Sequence, residues 1–121
     1  MNETEKQKLK EKLAVWAEFE AIGTRDKFKR LFCWKYPDAC VYSALPDFPG
    51  SLDACNEWLI PKARKQFHLS KIEFCYSIEG YICGVKLHRH FIEGLVIYVP
   101  DGEFELEATW LCKAIEKLID G

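Results

Sequence analysis

From Ile72 to Leu87 apolar residues recur at every second position: Ile72, Phe74, Tyr76 and Ile78 before Glu79-Gly80, then Tyr81, Cys83, Val85 and Leu87 after it. This alternation predicts two antiparallel strands with one apolar face, since successive side chains of a strand leave opposite faces. A two-residue turn at Glu79 and Gly80 would pair Ile72 with Leu87, Phe74 with Val85, Tyr76 with Cys83 and Ile78 with Tyr81. The same register sets Glu73 against Lys86 on the other face, an opposite-charge cross-strand pair. A second Ile-Glu-Gly, residues 92–94, predicts another tight turn into a strand from Leu95 to Val99. Unbroken alternation would carry Arg89 onto the core face, so a bulge or break is expected from His88 to His90.

Helical spacing appears in three places. Residues 3 to 17 carry an apolar stripe of Leu9, Leu13, Trp16 and Ala17, with Asn2 as cap and Glu5 at the reciprocal capping-box position. Gly23 follows as a breaker. From Ser51 the stretch Leu52, Cys55, Asn56, Leu59, Ala63 and Phe67 shares one helical face, which turns Cys55 toward the leucines. Pro61 withholds the N–H that would bond the Glu57 carbonyl and should kink or tighten that helix. The last helix is expected near Asp101-Gly102-Glu103-Phe104, capped by Asp101 or Gly102, with Glu103, Glu105 and Glu107 at its positive end. Its stripe is Ala108, Leu111, Cys112, Ile115, Leu118 and Ile119. Between the first two helices, Phe28, Phe32, Trp34 and Tyr36 repeat with period two. The turn Tyr36-Pro37-Asp38-Ala39 then leads into a hairpin partner at Cys40 to Ser43. Helix, strands, helix, meander and helix in that order predict an α+β fold, an antiparallel β-sheet packed between α-helices as an α/β/α sandwich.

Composition narrows this picture rather than changing it. The 121 residues form one domain, 1–121, long enough to bury a core without metal or disulfide. Apolar residues make up 49% and charged residues 30%, and no apolar run reaches the length of a membrane span. A net charge of −2 offers no broad positive field, so general nucleic-acid binding is not expected. The first ten residues lack the apolar run of a secretory signal. A cytoplasmic setting is therefore expected, with six free thiols, and no two of the cysteines form a CxxC pair.

The segments Tyr36-Pro37-Asp38-Ala39, Leu45 to Ala63 (LPDFPGSLDACNEWLIPKA) and Ala108 to Gly121 (ATWLCKAIEKLIDG) resemble the phage ABA-sandwich family, small phage and prophage proteins with an antiparallel sheet between helices. The likeness spans almost the whole chain. It implies a phage or prophage accessory protein working in the bacterial host cytoplasm during infection or lysogeny, and it carries over no catalytic residue. Asn56 departs from the pattern, which would place an aromatic after Leu52-Asp53-Ala54-Cys55. The Leu45 to Ala63 segment reads as a strand-to-helix joint: Pro46 and Pro49 hold the chain extended, Gly50 bends it and Ser51 caps the helix.

Chemistry enters at four points. Cys55 sits near a helix start, but its face is apolar and no histidine neighbours it, so it reads as a core thiol. Cys75 falls on the other face of the hairpin, beside Glu73. His88 and His90 would leave one strand face together, a metal-binding spacing that lacks a third ligand, and no metal or other cofactor is assigned. Lys62, Arg64, Lys65, His68 and Lys71, with Lys86, His88, Arg89 and His90 on the partner strand, compose a basic ledge suited to an acidic partner or an anionic ligand. Trp58 and Trp110 each lie about 100° from the centre of their helix's apolar face, the margin where interface anchors stand. The leading expectation is a non-enzymatic binding module for a host or phage macromolecule, monomeric or a homodimer, with Trp58 and Trp110 as anchors and the ledge (Lys62, Arg64, Lys65, Lys71, Lys86, His88) setting orientation. An anionic small-molecule or nucleotide-binding protein is the first alternative, and a thiol-dependent or metal-assisted hydrolase the second. No P-loop, GxGxxG, HExxH or nucleophile elbow is present.

Overall fold

The computed structural model describes residues 2–22, 33–89, 95–98 and 106–121, with the backbone alone described at 95–98. The chain is α+β. Helix α1 (Glu3–Trp16) opens as its cap pattern requires: the Asn2 side chain accepts from the Glu5 N–H at 2.8 Å. Glu18, at φ 72°, ends it and turns the chain into β1 (Glu20–Ile22), a short strand that the apolar pattern does not announce. Strand β1 pairs antiparallel with β2 (Cys33–Lys35), which pairs with β3 (Val41–Tyr42). The β2–β3 turn is built around Pro37 as its sequence demands. Tyr36 N–H donates to the Cys40 carbonyl at 2.8 Å, Ala39 N–H to the Tyr36 carbonyl at 2.9 Å, and Cys40 N–H to Asp38 Oδ1 at 3.0 Å. The part of the expected strand from Phe28 to Phe32 lies outside the described residues.

The joint then folds as a 3-10 turn (Phe48–Gly50) feeding α2 (Leu52–Ala54), with Ser51 Oγ accepting from the Ala54 N–H. Pro61 does not tighten the helix. Beyond α2 it widens into a π turn (Cys55–Leu59), in which Ile60 N–H bonds the Cys55 carbonyl, before resuming as α3 (Ile60–Phe67). The missing Pro61 donor makes the wider register available, and the additional residue rotates the next turn by about 100°. Ile60 therefore takes a buried place and Asn56, assigned to the apolar face by regular spacing, is exposed.

His68, left-handed at φ 56°, stops α3 and sends the chain into β4 (Leu69–Tyr76). Strands β4, β5 (Ile82–Arg89) and β6 (Leu95–Tyr98) form a second antiparallel sheet in that order, so among the described residues the strands make two three-stranded sheets rather than one. Ile72 faces Leu87, Glu73 faces Lys86 and Phe74 faces Val85, the register read from alternation. Two irregularities change its ends. Ser70 is an extra residue in β4, so the shift expected at His88 to His90 sits on the opposite strand, and Leu69 faces Arg89. Cys83 is an extra residue in β5, so Tyr76 faces Ile82 and not Cys83. The turn is correspondingly one residue longer than two: Ser77 N–H donates to the Tyr81 carbonyl at 2.7 Å, and Gly80 adopts φ 90°.

Helix α4 (Glu107–Asp120) starts later than its acidic run suggests, with Leu106 at the cap position and no side-chain cap. It lies between two apolar clusters. One side, Ala108, Leu111, Cys112 and Ile115, joins Leu9, Leu13, Phe19, Phe48, Cys55 and Leu59. The other, Trp110 and Ala114, joins Ala63 of α3 and Leu69, Val85 and Leu87 of the second sheet. Trp16, Ile72 and Phe74 pack against both clusters.

Candidate interaction surface

The two tryptophans part company. Trp110 is 3% exposed because α4 is covered on both flanks, which corrects its placing at a solvent margin and leaves it no surface to offer a partner. Trp58 is half-buried and holds an aromatic group together. Its ring meets Phe19 and Tyr36 edge-on, each with centroids 5.4 Å away, and Phe19 in turn meets Phe48 at 5.8 Å. The π turn places it there.

The expected basic ledge divides into three. Lys62 Nζ lies 3.6 Å from Glu18 Oε1 and 5.4 Å from the centroid of the Trp16 ring, so it fastens α3 to the end of α1. Lys71 and His88 converge instead on Glu73: Lys71 Nζ is 2.7 Å and His88 Nε2 3.2 Å from the same Oε1. The His88 contact has an ion-pair distance without hydrogen-bond geometry. Lys86 faces Glu73 across the strands. Lys71, then the charges of His88 and Lys86, hold the Glu73 carboxyl below its ordinary value of 4.5. Glu73 therefore offsets part of the positive charge at this end of the sheet and gathers Lys71, Lys86 and His88 around one carboxylate. Arg64 and Lys65 stay exposed in the last turn of α3, where cations suit the helix dipole. His90 lies outside the described residues, and among those described no group of three or more His, Cys, Asp or Glu side chains is placed to hold a metal.

Among the six cysteines, Cys55 and Cys112 are buried, Cys75 is half-buried, and Cys33, Cys40 and Cys83 are exposed. A groove of about 470 Å³ runs between α1, the 3-10 turn and the start of α4. Among its described lining residues Lys6 and Lys10 are matched by Glu3 and Asp47.

Alternation along the chain misplaces the far end of the second hairpin. Tyr76 is 51%, Tyr81 74% and Ile78 fully exposed, although the period assigns all three to a buried face. The apolar pattern there is genuine, but the helices that cover Ile72, Phe74, Val85 and Leu87 stop short of it. The Cys83 bulge adds a second reason, since it turns Ile82 inward and Cys83 outward. Tyr76 is held in place by donating its hydroxyl hydrogen to Glu107 Oε1 at 2.8 Å, which raises its pKa above the ordinary 10.0.

Fold and surface together define a small α+β protein whose second hairpin exposes Tyr76, Ile78 and Tyr81 near its turn. Beyond that class, the comparisons return no match: no protein-family model, no curated protein and no solved structure matches the chain. No described helix is long and apolar enough to cross a membrane.

Proposed function

We propose that this chain is a non-enzymatic accessory protein of a phage or prophage that binds a host or phage protein through the tip of its second hairpin. The observation that carries the binding reading is the exposure of Ile78 and Tyr81 at the turn of the second hairpin and of Tyr76 at the strand end beside it. A compact apolar group at a rigid turn is the form that interface anchors take, and tyrosine is among the residues enriched at hot spots. Gly80 and the bonds of Ser77 fix the turn before any partner arrives, which lowers the ordering cost of association. The phage setting rests on the family resemblance of the Leu45 to Ala63 and Ala108 to Gly121 segments. Arg64 and Lys65, exposed in the last turn of α3, would affect encounter with an acidic surface more than final affinity.

The test is retention from infected bacterial lysate on immobilised wild-type chain, compared with an Ile78→Asp, Tyr81→Ser variant. A protein held by the wild type should be lost by the variant at an unchanged thermal midpoint. For a true anchor the loss is at least ~2 kcal/mol, about thirtyfold in affinity. Equal retention by the two chains would remove the hairpin from the binding reading.

A further inference from the structure

Two thiols meet in the middle of the larger core. Cys55, at the first position of the π turn, and Cys112, in the second turn of α4, have their sulfurs 3.7 Å apart, and both residues are fully buried. The Cys55 thiol lies 3.1 Å from the Phe48 carbonyl oxygen and donates to it. Its one hydrogen is then used, so across the gap the Cys112 thiol is the donor and Cys55 Sγ the acceptor. The pair therefore links three segments in a line: α4, the π turn and the 3-10 turn of the joint.

We infer that Cys55 and Cys112 are a latent dithiol that closes to a disulfide under peroxide and clamps the joint helix to the C-terminal helix. A disulfide needs its sulfurs about 2.05 Å apart, so closure takes roughly 1.6 Å of approach from their 3.7 Å separation. The chemistry balances with hydrogen peroxide as oxidant. One thiolate sulfur attacks a peroxide oxygen, the O–O bond breaks, and a sulfenic acid and hydroxide form; the hydroxide takes the thiol proton and leaves as water. The second sulfur then attacks the sulfenic sulfur, the S–O bond breaks, the S–S bond forms and a second water departs. Two thiols lose two electrons and two hydrogens, and peroxide is reduced to two waters.

Burial slows this reaction. Desolvation, followed by the contact with Cys55, raises the Cys112 thiol well above its ordinary 9.0, and a buried thiol meets oxidant only when the structure opens. The opening that matters is the one beside the pair itself. The π turn begins at Cys55, and its helical ladder lacks the bond that Pro61 cannot donate to Glu57. Local unwinding there uncovers the Cys55 sulfur without dissolving either sheet. Once formed, the bond closes a loop between residues 57 apart in sequence, which constrains the unfolded chain strongly. This inference does not depend on the hairpin tip, which neither cysteine touches.

The test uses the full chain with Cys33, Cys40, Cys75 and Cys83 replaced by serine, treated with hydrogen peroxide and mapped by peptide mass spectrometry. The expected product lacks two hydrogens, joins the Cys55 and Cys112 peptides, reverts with dithiothreitol, and has a thermal midpoint higher by about 5 °C or more. Adding Cys112→Ala should abolish both the link and the shift. Thiols that remain free, or that proceed to sulfinic acid unlinked, would overturn the inference, and a linked chain whose midpoint does not rise would overturn the clamp. If the four-serine chain does not fold, the same peptide map on the wild-type chain decides whether the Cys55 to Cys112 link forms.

Discussion

Trp58, Trp110 and Glu73 each do something that their place in the sequence does not reveal. Trp110 occupies a wheel position between two apolar faces, and because both are packed it is a core residue. Trp110→Ala should therefore cost about 3 to 5 kcal/mol through lost burial and the cavity left behind. Ile78→Ser, at a fully exposed site, should change stability by no more than about 0.5 kcal/mol. Chemical denaturation midpoints of the two variants separate these outcomes, and similar midpoints would place Trp110 at the surface after all. Glu73 makes a pH prediction. Its carboxyl is held below 4.5 in the folded chain by Lys71, His88 and Lys86. A depressed folded value means that its contribution is present above the unfolded value and is lost as pH falls through the folded one. Glu73→Gln should thus flatten the acid limb of the thermal midpoint below about pH 4.5. An identical acid limb in the variant would assign the pH dependence to other carboxylates.

At the scale of elements, the hairpin and the joint show what a local pattern can and cannot carry. Gly80 adopts φ 90°, a conformation that disfavours any side chain, and nothing lies within 4 Å of where a Cβ would stand. Gly80→Ala should cost about 1 to 2 kcal/mol from the backbone alone, and Gly80→Asn less, since asparagine tolerates the left-handed region. Measured stabilities in the reverse order would mean that the turn changes type. The inner register, Ile72 to Leu87, Glu73 to Lys86 and Phe74 to Val85, was legible because both faces agree on it. The Cys83 bulge was not, and the Ser70 bulge was legible only as a break near Arg89, because which strand takes the extra residue is chosen by what the strands must pack against. The same holds in the joint. Ser51 announces a cap and Pro61 announces a disturbance, yet whether the helix tightens or widens is decided by the packing of Cys55 and Leu59, both fully buried.

In the whole molecule, α4 ties the two clusters into one unit. Trp16 stacks on Phe67 with centroids 5.9 Å apart and donates its indole hydrogen to Gln66 Oε1 at 3.0 Å, while Ile72 and Phe74 reach both cores. Lys12 reaches from α1 to Asp120 at 2.8 Å and Glu116 at 3.4 Å, an exposed link of small worth beside that packing. Shared residues predict a single cooperative transition, with tryptophan fluorescence and far-ultraviolet circular dichroism changing together. Two separated transitions would mean that the second sheet opens alone. By itself the sequence determined the α+β class, the Asn2 and Ser51 caps, the Pro37 turn and the central register of the long hairpin, because each depends on residues a few positions apart or on one repeating period. Only the tertiary structure decided that Trp110 is enclosed, that Tyr76, Ile78 and Tyr81 are bare, that Lys71, Lys86 and His88 gather on Glu73, and that Cys55 meets Cys112. Burial is set by which distant segments arrive on each face, and a period along the chain gives the direction of a side chain without saying what, if anything, stands opposite it.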